Sequence, residues 1–121
     1  MVKETILVVD DSPTDRRLLA GPLQDQGYQV ITASDGDEAL AKASSQRPRL
    51  IVLDVLLPKK NGFQVCRQLK TGAETRDIKI LIVTSKTQES DRFWGLKQGA
   101  DGYLTKPVSD DDLLASVARL L

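Results

Sequence analysis

Asp10 and Asp11 close one apolar run, Asp54 closes another, and Lys106 stands immediately before Pro107. Each lies where a buried strand should end, so folding can gather all four at one edge of a sheet. Three carboxylates brought that close repel one another and resist ionisation unless a cation is bound among them. The chemistry implied is a divalent-metal site with a lysine beside it.

The elements that must position these residues are legible in the pattern. Apolar runs rich in Val, Ile and Leu occur at Thr5 to Asp10, Leu50 to Asp54 and Lys79 to Val83, with shorter extended stretches at Gln29 to Thr32 and Gly102 to Thr105. They lack polar alternation, as expected of strands covered on both faces. Between them lie segments of helical length at Pro13 to Gln26, Asp37 to Ser45, Gly62 to Lys70, Thr87 to Gln98, and Asp110 to the end. Ser12 before Pro13, and Ser109 before three aspartates, are helix entry signals; Gly27 and Gly99 mark exits. Pro22 removes one hydrogen bond inside the first helix and predicts a kink rather than an end. Alternating strands and helices with short connections give an α/β fold: a five-stranded parallel sheet with helices on both faces and right-handed crossovers.

Ligands of open parallel sheets bind outside the carboxyl ends of the strands, where the strand order reverses. In the flavodoxin-like order 2-1-3-4-5 the first and third strands are neighbours there, about 4.8 Å apart. Asp10 and Asp11 then come within shared-ligand distance of Asp54. Mg²⁺, which takes oxygen ligands in octahedral geometry, suits that set. Thr84 and Lys106, ending the fourth and fifth strands, add a hydroxyl and a cation to the same shallow pocket.

With these residues placed, the chain resembles a response-regulator receiver domain of the single-domain CheY type over residues 1–121. The resemblance rests on Asp10-Asp11-Ser12, Asp54 with Leu57-Pro58 and Asn61-Gly62, Val83-Thr84-Ser85, and Gly99-Ala100-Asp101 running into Tyr103 and Lys106-Pro107. It implies that Asp54 is the phosphoacceptor, that Asp10, Asp11, Asp54 and the backbone carbonyl of Leu56 hold Mg²⁺, that Lys106 contacts the phosphoryl group, and that the Lys106–Pro107 bond is cis. It implies a phosphohistidine donor on a sensor histidine kinase or phosphotransfer protein, and self-catalysed loss of the phosphoryl group rather than an enzyme's turnover of substrate. It further implies Thr84 as the sensor, Tyr103 swinging inward in response, and a downstream protein target on the face of the fourth helix, fifth strand and fifth helix, here Arg92, Trp94, Leu96, Tyr103 and Ser116. If Phe93 packs on the sheet, Trp94 lies at the margin of that face.

Composition narrows the function further. Lysine plus arginine equals aspartate plus glutamate at 17 each, so no net field favours nucleic acid or an anionic membrane. Histidine is absent, which excludes histidine-ligated zinc, histidine triads and an internal phosphohistidine. The single cysteine, Cys66, cannot form an internal disulfide and reads as a small apolar filler. Met1 to Glu4 lead into a short apolar run rather than a signal peptide, so a cytoplasmic protein is expected. The leading expectation is a stand-alone phosphorylation switch, with chemotaxis or pilus motility as the pathway the resemblance suggests. Alternatives are a phosphorelay carrier or phosphate sink, and a receiver cut from a larger regulator. A flavodoxin or an aspartate-nucleophile phosphatase is disfavoured, because Asp11-Ser12-Pro13 replaces a phosphate loop and Leu56 stands where a second aspartate would be needed.

Overall fold

The computed structural model describes residues 3–121; Met1 and Val2, part of the lead expected before the first strand, lie outside the described residues. Ten elements alternate: β1 (Thr5–Val9), α1 (Pro13–Asp25), β2 (Gln29–Ala33), α2 (Gly36–Gln46), β3 (Leu50–Leu53), α3 (Gly62–Thr71), β4 (Lys79–Thr84), α4 (Glu89–Lys97), β5 (Gly102–Thr105) and α5 (Asp110–Leu120). The strands form one parallel sheet in the order β2-β1-β3-β4-β5.

Strand side chains alternate between the two faces, so each continuous apolar run feeds two cores. Ile6, Val8, Leu50, Val52, Leu81 and Val83 pack against Leu19 and Leu23 of α1 and Leu113 and Val117 of α5. Leu7, Val9, Ile51, Leu53, Ile80 and Ile82 meet the other face, with Ala39 and Ala43 of α2 and Val65, Cys66 and Leu69 of α3. Cys66 is fully buried, and burial pushes its thiol pKa up to about 12, which leaves it an inert filler.

Most boundaries follow from local chemistry. The Ser12 and Ser109 hydroxyls accept from the Asp15 and Asp112 N–H groups and cap α1 and α5, while Gly27 and Gly99 take positive φ after α1 and α4. α1 continues through Pro22 to Asp25. α2 begins at Gly36, one residue earlier than expected, because Asp35 accepts from the Glu38 N–H while Glu38 accepts from the Ser34 N–H. α4 begins at Glu89 rather than Thr87, with no side-chain hydrogen bond at its Gln88 cap.

Two glycines set how closely helices approach the sheet. A Cβ on Gly62 would lie 2.3 Å from the Val55 Cα and 2.6 Å from the Asp54 carbonyl oxygen, so α3 starts directly against the backbone that follows β3. A Cβ on Gly95 would lie 3.0 Å from Ile82 and 3.1 Å from the Tyr103 ring. α4 therefore lies on the sheet through Gly95, and Phe93 does not pack there: Phe93, Trp94 and Leu96 are all exposed, at 63%, 53% and 44%. Ser116, expected on the outward face of α5, is buried, because it shares the inward row with Leu113 and Val117. Gly62→Ala should lower the unfolding free energy by at least about 2 kcal/mol in a urea titration, since the backbone it would strike cannot rotate away.

Candidate functional site

The sheet ladder extends one step past the strands and carries the reactive groups with it. The Asp10 N–H donates to the Ala33 carbonyl at 3.1 Å, the Asp54 N–H to Val9 at 3.0 Å and the Lys106 N–H to Thr84 at 2.8 Å. Asp10, Asp54 and Lys106 thus stand just beyond β1, β3 and β5, on the edge where the strand order reverses. The Lys106–Pro107 bond is cis.

Lys106 is the centre of the cluster. Its Nζ donates to Asp10 Oδ2 at 2.7 Å, Asp15 Oδ2 at 2.9 Å and Asp54 Oδ2 at 2.9 Å, which uses all three ammonium N–H groups. The two buried aspartates are held alike at their other oxygens. Asp10 Oδ1 accepts from the Ser12 N–H and Asp54 Oδ1 from the Leu56 N–H, both at 3.0 Å. Arg16 adds a hydrogen bond from Nη1 to the Asp10 carbonyl at 2.8 Å.

The electrostatics follow from burial. Desolvation raises the Asp10 pKa above the ordinary carboxylate value, against the opposing pull of Lys106 and the Ser12 N–H. Burial also works against the charge on Lys106, but its hydrogen bonds to Asp10, Asp15 and Asp54 outweigh that and hold its pKa above the ordinary lysine range. One ammonium therefore serves three carboxylates, and the pocket retains an excess of oxygen-borne negative charge. That donor set, all oxygen and without histidine, matches a hard divalent cation.

The expected trio of Asp10, Asp11 and Asp54 is only partly assembled. Asp10 and Asp54 meet at Lys106, whereas Asp11 is exposed and makes no side-chain hydrogen bond or ion pair among the described residues. Among those residues no group of three or more acidic or cysteine side chains is arranged to hold a metal ion. Asp15, an acidic residue in the first turn of α1, was not among the expected site residues. The signal was available: helical side chains lean toward the N-terminus, and the N-terminus of α1 sits against the end of β1. Beside Lys106 a cavity of about 400 Å³ opens between α1 and α5, lined by Asp15, Leu18, Leu19, Pro107 and Val108.

On the other side lie Thr84 and Tyr103, joined through one residue. Thr84 is fully buried at the end of β4, and its Oγ1 accepts a long hydrogen bond of 3.5 Å from the Lys86 N–H. The Tyr103 hydroxyl donates to the Lys86 carbonyl at 2.9 Å. Tyr103 is only 3% exposed, and burial, then Asp91 and Asp54, raise its pKa. In this structure the Tyr103 ring lies inside, where Gly95 leaves room for it. Arg92 is exposed on α4 and donates from Nη1 to the Tyr103 carbonyl at 3.1 Å. Leu56 is exposed beside Asp54.

Comparison with known proteins adds the family. Residues 6–118 match the response regulator receiver domain. Protein PilH of Pseudomonas aeruginosa is 45% identical over 116 residues, which are 96% of each chain. The alkaline phosphatase synthesis transcriptional regulatory protein PhoP of Bacillus subtilis is 48% identical over 120 residues, but the match spans only 49% of that protein. Among solved structures, the chemotaxis protein CheY4 of Vibrio cholerae superposes with a TM-score of 0.92 at 37% identity, covering 99% of this chain and all of that one. The receiver domain of the sensor histidine kinase PA1611 from Pseudomonas aeruginosa, with a magnesium ion coordinated in its active-site cleft, superposes with a TM-score of 0.91 at 28% identity, covering 98% of each chain.

Removing the ammonium would strand two buried carboxylates, so Lys106→Met should cost about 3 kcal/mol of unfolding free energy near pH 7 without divalent cations. The pKa of Lys106 is raised above its ordinary 10.5, so its contribution is present in full below that value and lost only as the pH rises past the folded one. Urea titrations at about pH 7 and pH 9 should therefore show the same deficit, and adding Asp10→Asn should recover part of it.

Proposed function

The chain belongs to the response regulator receiver family, and from that premise we propose that Asp54 is the residue that takes the phosphoryl group. Receiver domains are the signalling phosphoacceptors of two-component systems: they receive phosphoryl groups from histidine kinases and act on downstream targets. The observation that carries the assignment is the placement of Asp54, 5% exposed at the sheet edge with Oδ2 2.9 Å from the Lys106 ammonium.

In the step proposed, an Asp54 carboxylate oxygen forms a bond to phosphorus, the bond from phosphorus to the donor's imidazole nitrogen breaks, and that nitrogen keeps the electron pair. Lys106 then shifts its hydrogen bonding toward the phosphoryl oxygens and balances their charge. Mg²⁺, held by Asp10, Asp11, Asp54 and the Leu56 carbonyl, would supply further neutralisation of those oxygens when bound. The all-oxygen donor set supports this, as does the magnesium ion in the PA1611 receiver. Thr84 reports the event through its hydroxyl, and Tyr103 passes it on from its buried position through Lys86.

The output face is proposed as Arg92, Trp94 and Leu96, with Phe93 added because it is exposed beside them. Tyr103 contributes from beneath, and Ser116 takes no part while it stays buried. The downstream partner is a protein; balanced charge favours neither direct nucleic-acid binding nor a membrane. Among the described residues no helix is long and apolar enough to cross a membrane, and a cytoplasmic location suits partners that carry phosphohistidine. The match to CheY4 over nearly its whole length supports a single-domain switch in a chemotaxis or motility pathway. The half-length match to PhoP supports the second reading, a receiver within a larger regulator.

With Mg²⁺ and acetyl phosphate, the wild-type protein should gain one phosphoryl group by mass spectrometry and change its Trp94 fluorescence, while Asp54→Ala should do neither. Wild-type protein that stays unmodified under these conditions would refute the assignment. A relay carrier or phosphate sink, unlike a switch, would return the group to a phosphohistidine partner as readily as it accepts it, without a fluorescence change.

A further inference from the structure

Lys106 has no N–H to spare. All three donate to carboxylates, yet the proposed reaction brings new anionic oxygens to Asp54 that need the same ammonium. One of the existing hydrogen bonds must be given up, and the three are not equal. The side chains of Asp10 and Asp54 are 1% and 5% exposed, whereas that of Asp15 is 39% exposed. Until phosphorus bonds to Asp54, a buried carboxylate that loses its ammonium needs another cation, such as the proposed Mg²⁺, while an exposed one is taken over by water whether or not a metal is bound. The bond to Asp15 is the one the cluster can release.

We propose that Asp15 is a positioning residue that restrains phosphoryl acceptance by occupying Lys106 until the phosphoryl oxygens displace it. The inference rests on the assignment of Asp54 as phosphoacceptor and deepens it. Two effects act in the same direction. Asp15 holds the donor that the phosphoryl group needs, and its carboxylate lies at the margin of the pocket, beside the cavity lined by Lys106 and Pro107, where it repels an incoming anionic donor. Asp15 also stands in the first turn of α1, where a negative charge favours the helix whatever its effect on Lys106. That purely structural role predicts a small loss of stability and no change in acceptance rate.

Asp15→Asn separates the two roles, because a neutral amide holds Lys106 less tightly than a carboxylate does and repels no anion, so the restraint predicts a faster rate where the structural role predicts none. The rate of acetyl phosphate incorporation at Asp54, measured in saturating Mg²⁺, should rise about three- to tenfold in Asp15→Asn. It should also lose part of the acceleration that added salt gives the wild type, because salt screens the repulsion that Asp15 supplies. Asp15→Glu should behave like the wild type. Asp37→Asn, the same charge change in the first turn of α2 at a residue that makes no ion pair among the described residues, should leave the rate within about 1.5-fold. Mg²⁺ affinity, read from Trp94 fluorescence, would show whether a rate change arises through the metal instead. An Asp15→Asn rate equal to or below that of an active wild type would overturn the role of Asp15 and leave Asp54 standing. Wild-type protein that takes up no phosphoryl group would sink both.

Discussion

The constraint on which the site depends is a single ammonium shared among carboxylates drawn from distant parts of the chain. Lys106 reaches back to Asp10 across nearly the whole sequence, and to Asp54 across half of it. Those contacts exist only if β1, β3, β4 and β5 lie in the observed order with their carboxyl ends aligned, so the cluster and the topology require each other. A buried carboxylate pair is an unfavourable element of a fold, as the raised pKa of Asp10 shows. Replacing the cluster with apolar residues of similar volume would often stabilise such a site. Its charged groups are therefore best understood as stability given up for chemistry.

The surroundings of the cluster are arranged by backbone more than by side chains. Extra ladder hydrogen bonds at Asp10, Asp54 and Lys106 aim the reactive groups, and N–H groups of Ser12 and Leu56 fix the outer oxygens of the two buried aspartates. Gly62 lets α3 start against the residue after Asp54, which pins the connection carrying Leu56. Backbone restraints of this kind do not change rotamer, so the bond proposed at Asp54 could form or break without the frame relaxing around it.

How much of this was legible depends on which physical signal placed each residue. Asp10, Asp54 and Lys106 follow from the ends of apolar runs and from the rule that ligands gather at a switch point, and all ten elements follow from the same runs and their punctuation, while the sheet order came from analogy with flavodoxin-like sheets. Asp15 did not, because its helical role was sufficient explanation for an acidic residue after Ser12-Pro13. Asp11 was grouped with Asp10 by adjacency, although one is exposed and its neighbour is fully buried. Ser116 was misplaced because the resemblance assigned it to an output face without regard to which row of α5 faces the sheet, and the packing of Phe93 was left as a condition that the structure does not meet. On α4 a glycine makes the contact with the sheet, and on α5 the inward row carries a serine.

Gly95 and Lys86 together bear on how a signal could leave the site. Tyr103 sits inside in this structure, anchored to the Lys86 carbonyl at 2.9 Å. The weak link is the long 3.5 Å hydrogen bond between the Lys86 N–H and Thr84 Oγ1. A phosphoryl group that draws the Thr84 hydroxyl would break that bond first, freeing the Lys86 N–H while its carbonyl stays bound to Tyr103. Strain would then pass to the segment from Ser85 to Gln88 and into α4, whose approach to the sheet is made through Gly95 and which Arg92 ties to the Tyr103 carbonyl. Phe93, Trp94 and Leu96 ride on the outside of that helix, so a small shift of α4 would change an apolar surface without disturbing either core.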